Sequence, residues 1–441
     1  MTNTSPIPPD KQVNHLILLI GGNPLPNAVA GRLLVRGSGR ITLVCSNDTE
    51  HVANDLKTWF ANYQIINVTP KNVIESNAEN IYTAVHNLID RNEYTGLHYT
   101  GGTKAMAVHA HRAFRDILGK QAPKMSSYLD SRKLRLIFDD GFYYDAIGNL
   151  PTPFELQDFI DLHASLRTNP CTPPLTPAWL PETALTLAES WQNTLPDTWK
   201  QWYDEHIRPL ERRPSLKHDL NDPATGMLIG WRYQNWQDGE RLKATTVPFP
   251  AGKIGRKLKQ ELITAGYPRD LSDLNLVQAY NALATPPDIR PDCPANLEIE
   301  EVCAWLKAKW LEHYVASCLE KTGLFDSVYI GVETILEEDK GYPVCFELDV
   351  VGIRGYQLFV MSCTTKWKKP DVKQKLFEVT TRARQLGGDE AHIALVCTNN
   401  KPSHIQSESR ATIDKHIRVF GSRDLRNLQS ALTAWVEGRD S

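Results

Sequence analysis

Apolar runs of strand length alternate with helix-like stretches from residue 15 onward, and this alternation restricts the fold more than any other feature. The runs are His15 to Ile20, Ile41 to Cys45, Ile65 to Val68 and Leu97 to Tyr99. In the stretches between them, apolar residues recur every three or four positions, which is typical of amphipathic helices. Strands that alternate with helices form a parallel sheet with crossover helices. The sequence therefore predicts an α/β fold with a Rossmann-like sheet in its N-terminal part.

The chain is too long for one hydrophobic core, because its 441 residues exceed the usual size of a single domain. Changes in texture divide it into a polar tail (1–14), a Rossmann-like domain (15–160), a Pro- and Trp-rich helical linker or inserted region (161–294) and a second α/β domain (295–441). In the last of these, a long amphipathic helix precedes several apolar strands. We therefore expect two α/β domains joined by a helical region.

Composition excludes several classes of protein. The net charge of −3 argues against a uniformly basic coat for nucleic acid, although local basic patches are compatible with it. The polar N-terminus lacks a signal sequence, and no apolar run is long enough to span a membrane. The cysteines form no CxxC pair, which favours buried thiols in a reducing compartment; they are Cys45, Cys171, Cys293, Cys303, Cys318, Cys345, Cys363 and Cys397. We expect a cytoplasmic protein without a membrane partner.

Tryptophan is concentrated in the middle region, at Trp179, Trp191, Trp199, Trp202, Trp231 and Trp236. Exposed aromatic side chains can stack on the bases of nucleic acid. At helical spacing, however, a series of aromatics more often forms a core or a seam between domains. The sequence favours the core interpretation.

Small and polar residues follow three of the predicted strands. They are Gly21, Gly22 and Asn23 in the first loop, Ser46 and Asn47 in the second, and Thr100, Gly101, Gly102, Thr103 and Lys104 in the third. In a doubly wound sheet these loops gather in one crevice, where ligands bind. Glycines let the backbone approach a phosphate, and the following helix N-terminus presents free N–H groups. The loops therefore predict a site for an anionic, nucleotide-like ligand.

Two common nucleotide motifs are absent from these loops. The third loop lacks the GxxxxGK[ST] pattern of a Walker A loop, and Gly21-Gly22-Asn23 does not complete GxGxxG. The sequence thus disfavours ATP hydrolysis and dinucleotide oxidoreduction.

The run His98-Tyr99-Thr100-Gly101-Gly102-Thr103-Lys104-Ala105-Met106, together with Ser127-Tyr128-Leu129-Asp130, resembles the CRISPR-associated Rossmann fold (CARF) sensors of the CRISPR ancillary nuclease family. The resemblance covers most of residues 15–145. It implies a homodimeric sensor whose paired loops bind a cyclic oligoadenylate, most often cyclic tetra-adenylate. A two-fold protein site matches a ring with an even number of members.

Two carboxylates occupy alternate positions of a strand that otherwise has the composition of a core strand. Glu347 and Asp349 share one face of it, directly before Val350 and Val351. A pair of charges at a solvent-facing strand edge is the ordinary alternative, and spacing alone favours it. The functional interpretation is a site for Mg²⁺ or Mn²⁺ beside a scissile phosphodiester, because metal-dependent hydrolysis needs such carboxylates.

The C-terminal motifs resemble the nuclease half of the same family, which has the PD-(D/E)XK, or restriction-endonuclease-like, fold. They are Trp310 to Val315, Glu347 to Val351, Arg354 to Val360, Ser362 to Thr365 and Arg382 to Ala391. The resemblance implies that Glu312, on the first helix, joins Glu347 and Asp349 as a metal ligand. One departure stands out, since the second strand has Ser362-Cys363-Thr364 where the pattern has Glu-x-Lys.

The nearest substitutes for the missing Glu-x-Lys lie on the following helix. Lys373 or Lys375 is our candidate for the catalytic lysine, and Glu378 for the missing carboxylate. The alternative is that this lysine-rich stretch is a solvated loop or grips phosphates without catalysis.

Three functions remain open from sequence. The favoured one is an antiviral effector of type III CRISPR defence, in which a cyclic oligoadenylate activates metal-dependent cutting of DNA or RNA. The second keeps the sensor but uses the HEPN ribonuclease motif Arg-x4-6-His, for which Arg91 with His98 and Arg410 with His416 are chance-like matches. The third is a ligand-responsive nucleic-acid-binding regulator without catalysis, which the missing Glu-x-Lys supports.

Overall fold

The computed structural model describes residues 7–130, 133–147, 150–163, 166–168, 174–191, 196–221, 228–237, 239–284, 297–336, 344–365 and 369–439. The side chains of 212–235, 239, 297–298, 344–345, 369, 371 and 389 are outside that description. None of the helices in these residues has the length and apolar character needed to cross a membrane.

The backbone separates into two compact units. The first contains Met1–Ala164, Ile353–Leu358 and Arg384–Ala391, and the second contains Ser165–Gly352, Phe359–Ala383 and His392–Ser441. Two short segments of the C-terminal part thus belong to the N-terminal unit. The sequence pattern does not reveal this exchange. One segment is the turn between two C-terminal strands and the other is the end of a C-terminal helix, and both elements are otherwise regular.

The first unit is built on a seven-stranded sheet in the order β3-β2-β1-β4-β5-β6-β7. Its strands are β1 (Val13–Leu19), β2 (Val35–Cys45), β3 (Val68–Asn72), β4 (Thr95–His98), β5 (Ser126–Asp130), β6 (Arg135–Phe138) and β7 (Tyr143–Asp145). β1 to β5 are parallel, whereas β6 and β7 are antiparallel. The predicted Rossmann-like sheet is confirmed.

Five helices connect the parallel strands of this sheet: α1 (Leu25–Leu34), α2 (Glu50–Asn62), α3 (Ala78–His86), α4 (Lys104–Leu118) and α5 (Ala122–Met125). Helix α6 (Leu156–Asp161) follows β7. In α4, Met106, Ala110, Ala113 and Phe114 repeat at helical spacing and are buried. Because this stripe packs into the same core as Leu97 of β4, it fixes the helix that follows the third ligand loop.

One predicted strand is displaced in the structure. The sequence pattern favours residues 65–68, but β3 begins at Val68, where Ile41 of β2 pairs with it. Helix α2 ends in a turn through Gln64, whose φ of 62° is left-handed. Ile66 is 76% exposed. The apolar run was therefore misleading, since Ile66 does not face the core.

The second unit holds a six-stranded sheet in the order β17-β16-β15-β14-β13-β8. Its strands are β8 (Leu166–Thr168), β13 (Ser327–Leu336), β14 (Val344–Arg354), β15 (Gln357–Thr364), β16 (His392–Cys397) and β17 (Arg418–Phe420). β15, β16 and β17 are parallel, while β8 runs antiparallel to β13. Two small antiparallel pairs complete the strands: β9 (Glu211–Asn221) with β10 (Leu228–Trp236), and β11 (Thr246–Val247) with β12 (Leu274–Asn275).

The helices of the second unit are α7 (Pro181–Glu189), α8 (Asp197–Trp202), α9 (Gly239–Lys243), α10 (Gly252–Ala265), α11 (Leu276–Leu283), α12 (Leu297–Ala304), α13 (Trp310–Thr322), α14 (Lys369–Gly387), α15 (Pro402–Thr412) and α16 (Leu428–Val436). A π-helical turn, Trp305–Lys309, joins α12 to α13. The predicted long helix is therefore present but is interrupted at this turn. The predicted combination of a Rossmann-like and a second α/β domain is confirmed.

The tryptophans of the middle region form a hydrophobic core, as favoured from sequence. Trp179, Trp191, Trp199, Trp202 and Trp236 are all buried in one cluster with Trp305 and Trp310. The rings of Trp191 and Trp310 lie 6.1 Å apart, and those of Trp199 and Trp202 lie 5.2 Å apart. The side chain of Trp231 is outside the described residues. The middle region thus packs against the helix that opens the C-terminal domain.

The cysteines also match their prediction where they are described. Cys45, Cys303, Cys318, Cys363 and Cys397 are buried free thiols. Burial raises the pKa of Cys397 to about 11, so this thiol stays protonated at neutral pH. Cys171, Cys293 and the side chain of Cys345 lie outside the described residues.

A buried histidine makes the first unit sensitive to acid. His98 of β4 is fully buried and its Nδ1 lies 3.1 Å from Ser127 Oγ. Burial lowers the pKa of His98 to about 3, below its unfolded value of about 6.5. As pH falls below 6.5, the unfolded state therefore binds the proton more readily, and stability is lost.

We expect His98 to account for about 2 kcal/mol of the stability lost between pH 7.5 and pH 5.0. Denaturant unfolding of the His98→Gln variant should show a pH dependence smaller by that amount. The exposed His51 supplies the control His51→Gln, which should keep the wild-type pH dependence. An unchanged pH dependence in His98→Gln would contradict the assignment.

Candidate functional site

The candidate ligand crevice lies where the strand order of the first sheet reverses. β1 pairs with β2 on one side and with β4 on the other. The loop 21–23 follows β1 and the loop 100–104 leads from β4 into α4. Open α/β sheets bind ligands in the crevice at such a reversal. The structure therefore brings the first and third predicted loops together, with the second at the end of the neighbouring β2.

Close contact between these two loops accounts for two of their glycines. A Cβ on Gly101 would lie 2.2 Å from the carbonyl oxygen of Leu19, and a Cβ on Gly21 would lie 2.9 Å from the backbone nitrogen of Gly102. Nothing lies within 4 Å of a Cβ on Gly22. Gly21 and Gly101 are thus required by backbone packing, whereas Gly22 faces open space.

The threonines of the third loop support the loop itself. Thr103 caps α4, because its Oγ1 accepts a hydrogen bond from the backbone N–H of Met106 at 3.2 Å. Thr100 Oγ1 accepts one from the N–H of Leu129 in β5, at 2.6 Å. Lys104 is exposed in the first turn of α4. The groups left for an anion are the N-terminal N–H groups of α4 and the Lys104 ammonium.

The remaining predicted ligand residues differ in their surroundings. Ser46 opens a short 3-10 turn, and its backbone N–H donates to Thr49 Oγ1 at 3.0 Å. Asn47 is exposed. Asn23 is engaged within the first unit, because its Nδ2 donates to Glu390 Oε2 at 2.8 Å. Asn23 is therefore held by the segment Arg384–Ala391, a contact that the motif did not reveal.

Asn27 of α1 is a crevice residue that the sequence reasoning missed. It is fully buried, and its Nδ2 donates to the Leu19 carbonyl at 3.1 Å. Its Oδ1 is also buried and has no hydrogen-bond partner within the described part of the chain. The available signal was a single asparagine between Leu25 and the apolar run Ala28-Val29-Ala30. Buried polar side chains are normally hydrogen-bonded, so this asparagine could have been expected to bond to a neighbouring loop.

We expect Gly101→Ala to lower the free energy of unfolding by about 1–3 kcal/mol, since its methyl group overlaps backbone atoms. Gly22→Ala, in the same crevice but without neighbours, should change it by less than about 0.5 kcal/mol. Denaturant titration of both variants measures the difference. Equal stability of the two variants would show that the loops are not packed as described.

The second candidate site centres on Asp349 of β14. This carboxylate is 5% exposed. Its Oδ2 accepts hydrogen bonds from Ser362 Oγ at 2.9 Å and from the Cys363 N–H at 2.6 Å, and its Oδ1 lies 3.8 Å from Lys375 Nζ. Burial nevertheless raises the pKa of Asp349, because it outweighs the attraction of the Lys375 ammonium. Asp349 thus belongs to the core side of the sheet and is not a solvent-facing edge residue.

Glu312 of α13 faces the same group of charges, as the family resemblance implied. Burial raises its pKa well above the usual value, and the nearby Asp349 carboxylate adds to this effect. Glu312 Oε2 is buried and has no hydrogen-bond partner among the described residues. A buried carboxylate oxygen without a partner is costly in a folded protein, so this atom has an unmet need for a proton or a cation.

Glu347 makes an ion pair that the sequence reasoning did not anticipate. Its Oε1 lies 3.2 Å from Lys309 Nζ, which also lies 3.3 Å from Glu301 Oε2. Although burial opposes it, the surrounding carboxylates, Glu301 and Glu347 first, hold the pKa of Lys309 well above the usual value. Lys309 precedes Glu312 by three positions, and residues at this spacing share a helix face, which was the available signal.

The structure distinguishes between the residues that were predicted to replace the missing Glu-x-Lys. Ser362 and Thr364 end β15 where the family pattern has Glu-x-Lys. Lys375 reaches Asp349, whereas Lys373 is paired with Glu408 of α15. Glu378 is exposed on α14 and acts electrostatically on Lys375. Of the two candidate lysines, the structure places only Lys375 at the carboxylates.

Across the described residues, no three His, Cys, Asp or Glu side chains form a group arranged to hold a metal ion. The contacts give a physical reason, because Glu347 is drawn to Lys309 and Asp349 to Ser362, Cys363 and Lys375. The predicted ligands share one neighbourhood, but the carboxylate oxygens of Glu347 and Asp349 have partners other than one another.

The HEPN-like matches have no site geometry. His98 is buried in β4 and Arg91 precedes that strand in a turn. Arg410 donates through Nε to the Ile417 carbonyl at 3.0 Å. These contacts explain both arginine–histidine matches as parts of the fold.

Comparisons with known proteins show similarity to one protein family and to two solved structures. Residues 299–438 match the family model of the Card1-like endonuclease domain. Protein VC1899 from Vibrio cholerae has a similar structure, with a TM-score of 0.65 and 15% identity over 96% of this chain and 98% of that one. Can2 from Sulfobacillus thermosulfidooxidans, solved with cyclic tetra-adenylate, gives a TM-score of 0.58 and 14% identity over 96% and 99%. A search of curated proteins gives no match.

The fold and the carboxylate site define a two-domain protein, a Rossmann-like domain joined to a nuclease-type α/β domain. Residues 299–438 are similar to the Card1-like endonuclease domain, which supports the nuclease resemblance expected from sequence for this part of the chain. Protein VC1899 and Can2 share the fold along nearly the whole chain.

Proposed function

We propose that this protein is a metal-dependent nuclease of type III CRISPR antiviral defence that a cyclic oligoadenylate activates. The proposed activator is cyclic tetra-adenylate, and the proposed substrates are DNA, RNA or both, cut or nicked without sequence preference. The observation that carries the proposal is the buried Asp349 beside Glu312, whose buried Oε2 has no hydrogen-bond partner among the described residues, within the part of the chain that matches the Card1-like endonuclease domain.

The crevice of the first unit supports the proposed activator. A helix N-terminus, the exposed Lys104 and the open space beside Gly22 suit an anionic nucleotide. The structurally similar Can2 was solved with cyclic tetra-adenylate. A homodimer would pair two such crevices around an even-membered ring. The ligand activates only if it binds the active arrangement more tightly than the inactive one.

The carboxylates suit a divalent cation. Carboxylate oxygens are the donors that Mg²⁺ and Mn²⁺ prefer, and the partnerless Glu312 Oε2 is a vacant donor of this type. Glu347 is occupied by Lys309, so we assign the cation to Glu312 and Asp349. Such an ion supplies Lewis acidity and lowers the pKa of bound water.

The protein's own residues supply the remaining functions. Ser362 Oγ and the Cys363 N–H orient the Asp349 carboxylate through its Oδ2. Lys375, which approaches Oδ1, is the proposed catalytic lysine, and its ammonium stabilises negative charge on the phosphate. Glu378, one helical turn later on α14, acts on Lys375 and is assigned as its positioning residue.

One observation favours a second candidate function, a ligand-responsive nucleic-acid-binding regulator without catalysis. Ser362 and Thr364 stand where related nucleases carry a carboxylate and a lysine. If Lys375 does not replace that lysine, the domain binds nucleic acid without cutting it.

The decisive variant is Asp349→Asn, which keeps an oxygen acceptor for Ser362 and Cys363 but removes the charge. Plasmid DNA, single-stranded DNA and single-stranded RNA are incubated with Mn²⁺ or Mg²⁺, with and without cyclic tetra-adenylate. We expect wild-type cutting to need both ligand and metal, and the variant to lose at least about 100-fold in rate. Ligand binding without any cutting by the wild type would support the binding-only regulator instead.

Lys375 and Lys373 form a matched pair on one helix. We expect Lys375→Ala to slow cleavage by about 100-fold or more, because proton transfer and charge stabilisation by a positioned side chain contribute about that much. Lys373→Ala breaks a surface ion pair with Glu408 and should leave the rate within about threefold. Single-turnover rates at saturating ligand measure both. A larger loss in Lys373→Ala would move the catalytic lysine to position 373.

A further inference from the structure

The π-helical turn Trp305–Lys309 ends at Lys309, which contacts Glu347 of the carboxylate site. π-turns widen a helix locally and change the direction of its side chains, and they occur frequently at functional sites. Trp305 and Leu306 of this turn are buried in the core, while Lys309 reaches two carboxylates. The turn therefore anchors Lys309 at the site.

Gly331 on β13 lies beside this ion pair. It has a left-handed φ of +65° in the middle of the strand, a conformation that favours glycine. A Cβ at this position would lie 3.6 Å from Glu347 Oε1 and 3.9 Å from Lys309 Nζ. The backbone of β13 thus lines the contact between the two charged groups.

The lysine is enclosed by negative charge. Its side chain is 23% exposed, and its ammonium contacts both Glu347 and Glu301. Glu312 and Glu333 also act on it electrostatically. An ammonium that is largely withdrawn from water and surrounded by carboxylates is a permanent cation of the site, and no metal is needed to hold these two glutamates together.

The ion pairs of Lys309 limit where a second metal ion could bind. Its ammonium lies 3.2 Å from Glu347 Oε1 and 3.3 Å from Glu301 Oε2, whereas Glu312 Oε2 has no hydrogen-bond partner among the described residues. A divalent cation at Glu347 or Glu301 would therefore have to displace the Lys309 ammonium.

We propose that Lys309 is a positioning residue that takes the place of a second metal ion: by binding Glu347 and Glu301 it limits the site to one divalent cation, held by Glu312 and Asp349. This inference rests on the metal-dependent function proposed above. It assigns Glu347, an expected metal ligand, to the lysine instead.

The test counts Mn²⁺ ions bound by the full-length protein, using isothermal titration calorimetry and the electron paramagnetic resonance signal of free Mn²⁺. We expect one Mn²⁺ per chain in the wild type and two in Lys309→Gln, because the variant releases Glu347 and Glu301. Lys309→Arg restores a cation and should return the count to one. The matched control is Lys307→Gln, which removes a lysine of the same turn that pairs with Glu211 at 3.3 Å and should keep the wild-type count.

The outcomes separate this inference from the proposed function. One Mn²⁺ in both the wild type and a folded Lys309→Gln overturns the assignment of Lys309 but leaves the metal site intact. Two Mn²⁺ ions in the wild type have the same meaning. No Mn²⁺ in the wild type but one in Lys309→Gln supports the exclusion by Lys309 and contradicts the metal-dependent nuclease. No Mn²⁺ in either protein overturns both.

A second pair of variants tests the same assignment without altering Lys309. If Glu347 is bound to the lysine, Glu347→Gln should change the Mn²⁺ dissociation constant by less than about threefold. Asp349→Asn should weaken Mn²⁺ binding by at least about tenfold. Equal losses in the two variants would make Glu347 a metal ligand and overturn the proposal, even if Lys309→Gln fails to fold.

Discussion

The burial of Asp349 on a core strand is the constraint around which the endonuclease domain is arranged. Taking a carboxylate out of water is costly unless hydrogen bonds and opposite charges compensate. The neighbouring strand supplies a hydroxyl and an N–H group, and α14 supplies the Lys375 ammonium. Even so, its pKa is raised, and Oε2 of the nearby Glu312 has no hydrogen-bond partner among the described residues. Such an arrangement lowers stability by itself, and the cation proposed above would offset that loss.

The aromatic core of the middle region fixes where Glu312 and Lys309 point. Trp305 and Trp310 flank Lys309 along the helix and are both fully buried. His313, next to Glu312, accepts a hydrogen bond at Nδ1 from the Trp179 N–H at 2.8 Å. The tryptophans, to which the sequence assigns no catalytic function, thus hold one side of this helix in the core, and its other side carries Lys309 and Glu312. The inserted region is therefore part of the support of the endonuclease domain.

The sequence pattern was sufficient to predict which residues share a strand face and which loops share a sheet edge. Alternation along β14 placed Glu347 and Asp349 on one face, and strand order placed the Gly21 and Gly101 loops in one crevice. Sequence could not reveal what depends on tertiary contact. Lys373 and Lys375 look alike in the sequence, yet Glu408 holds one of them and Asp349 attracts the other. The three-residue spacing between Lys309 and Glu312 was a signal for Lys309, but the π-turn in which this lysine lies has no sequence pattern of its own.

The missing Glu-x-Lys becomes intelligible when charge is considered instead of motif. A glutamate in place of Ser362 would put another carboxylate against the buried Asp349, whereas the serine hydroxyl donates a hydrogen bond to it. The site therefore has one carboxylate fewer on β15. Its lysines come from α14 and from the turn before α13 instead of from that strand. Hydrolysis depends on the positions of charges around the phosphate and not on which element carries them. A nuclease site can therefore survive the loss of its signature, provided that the helices deliver cations to the carboxylates of the strand.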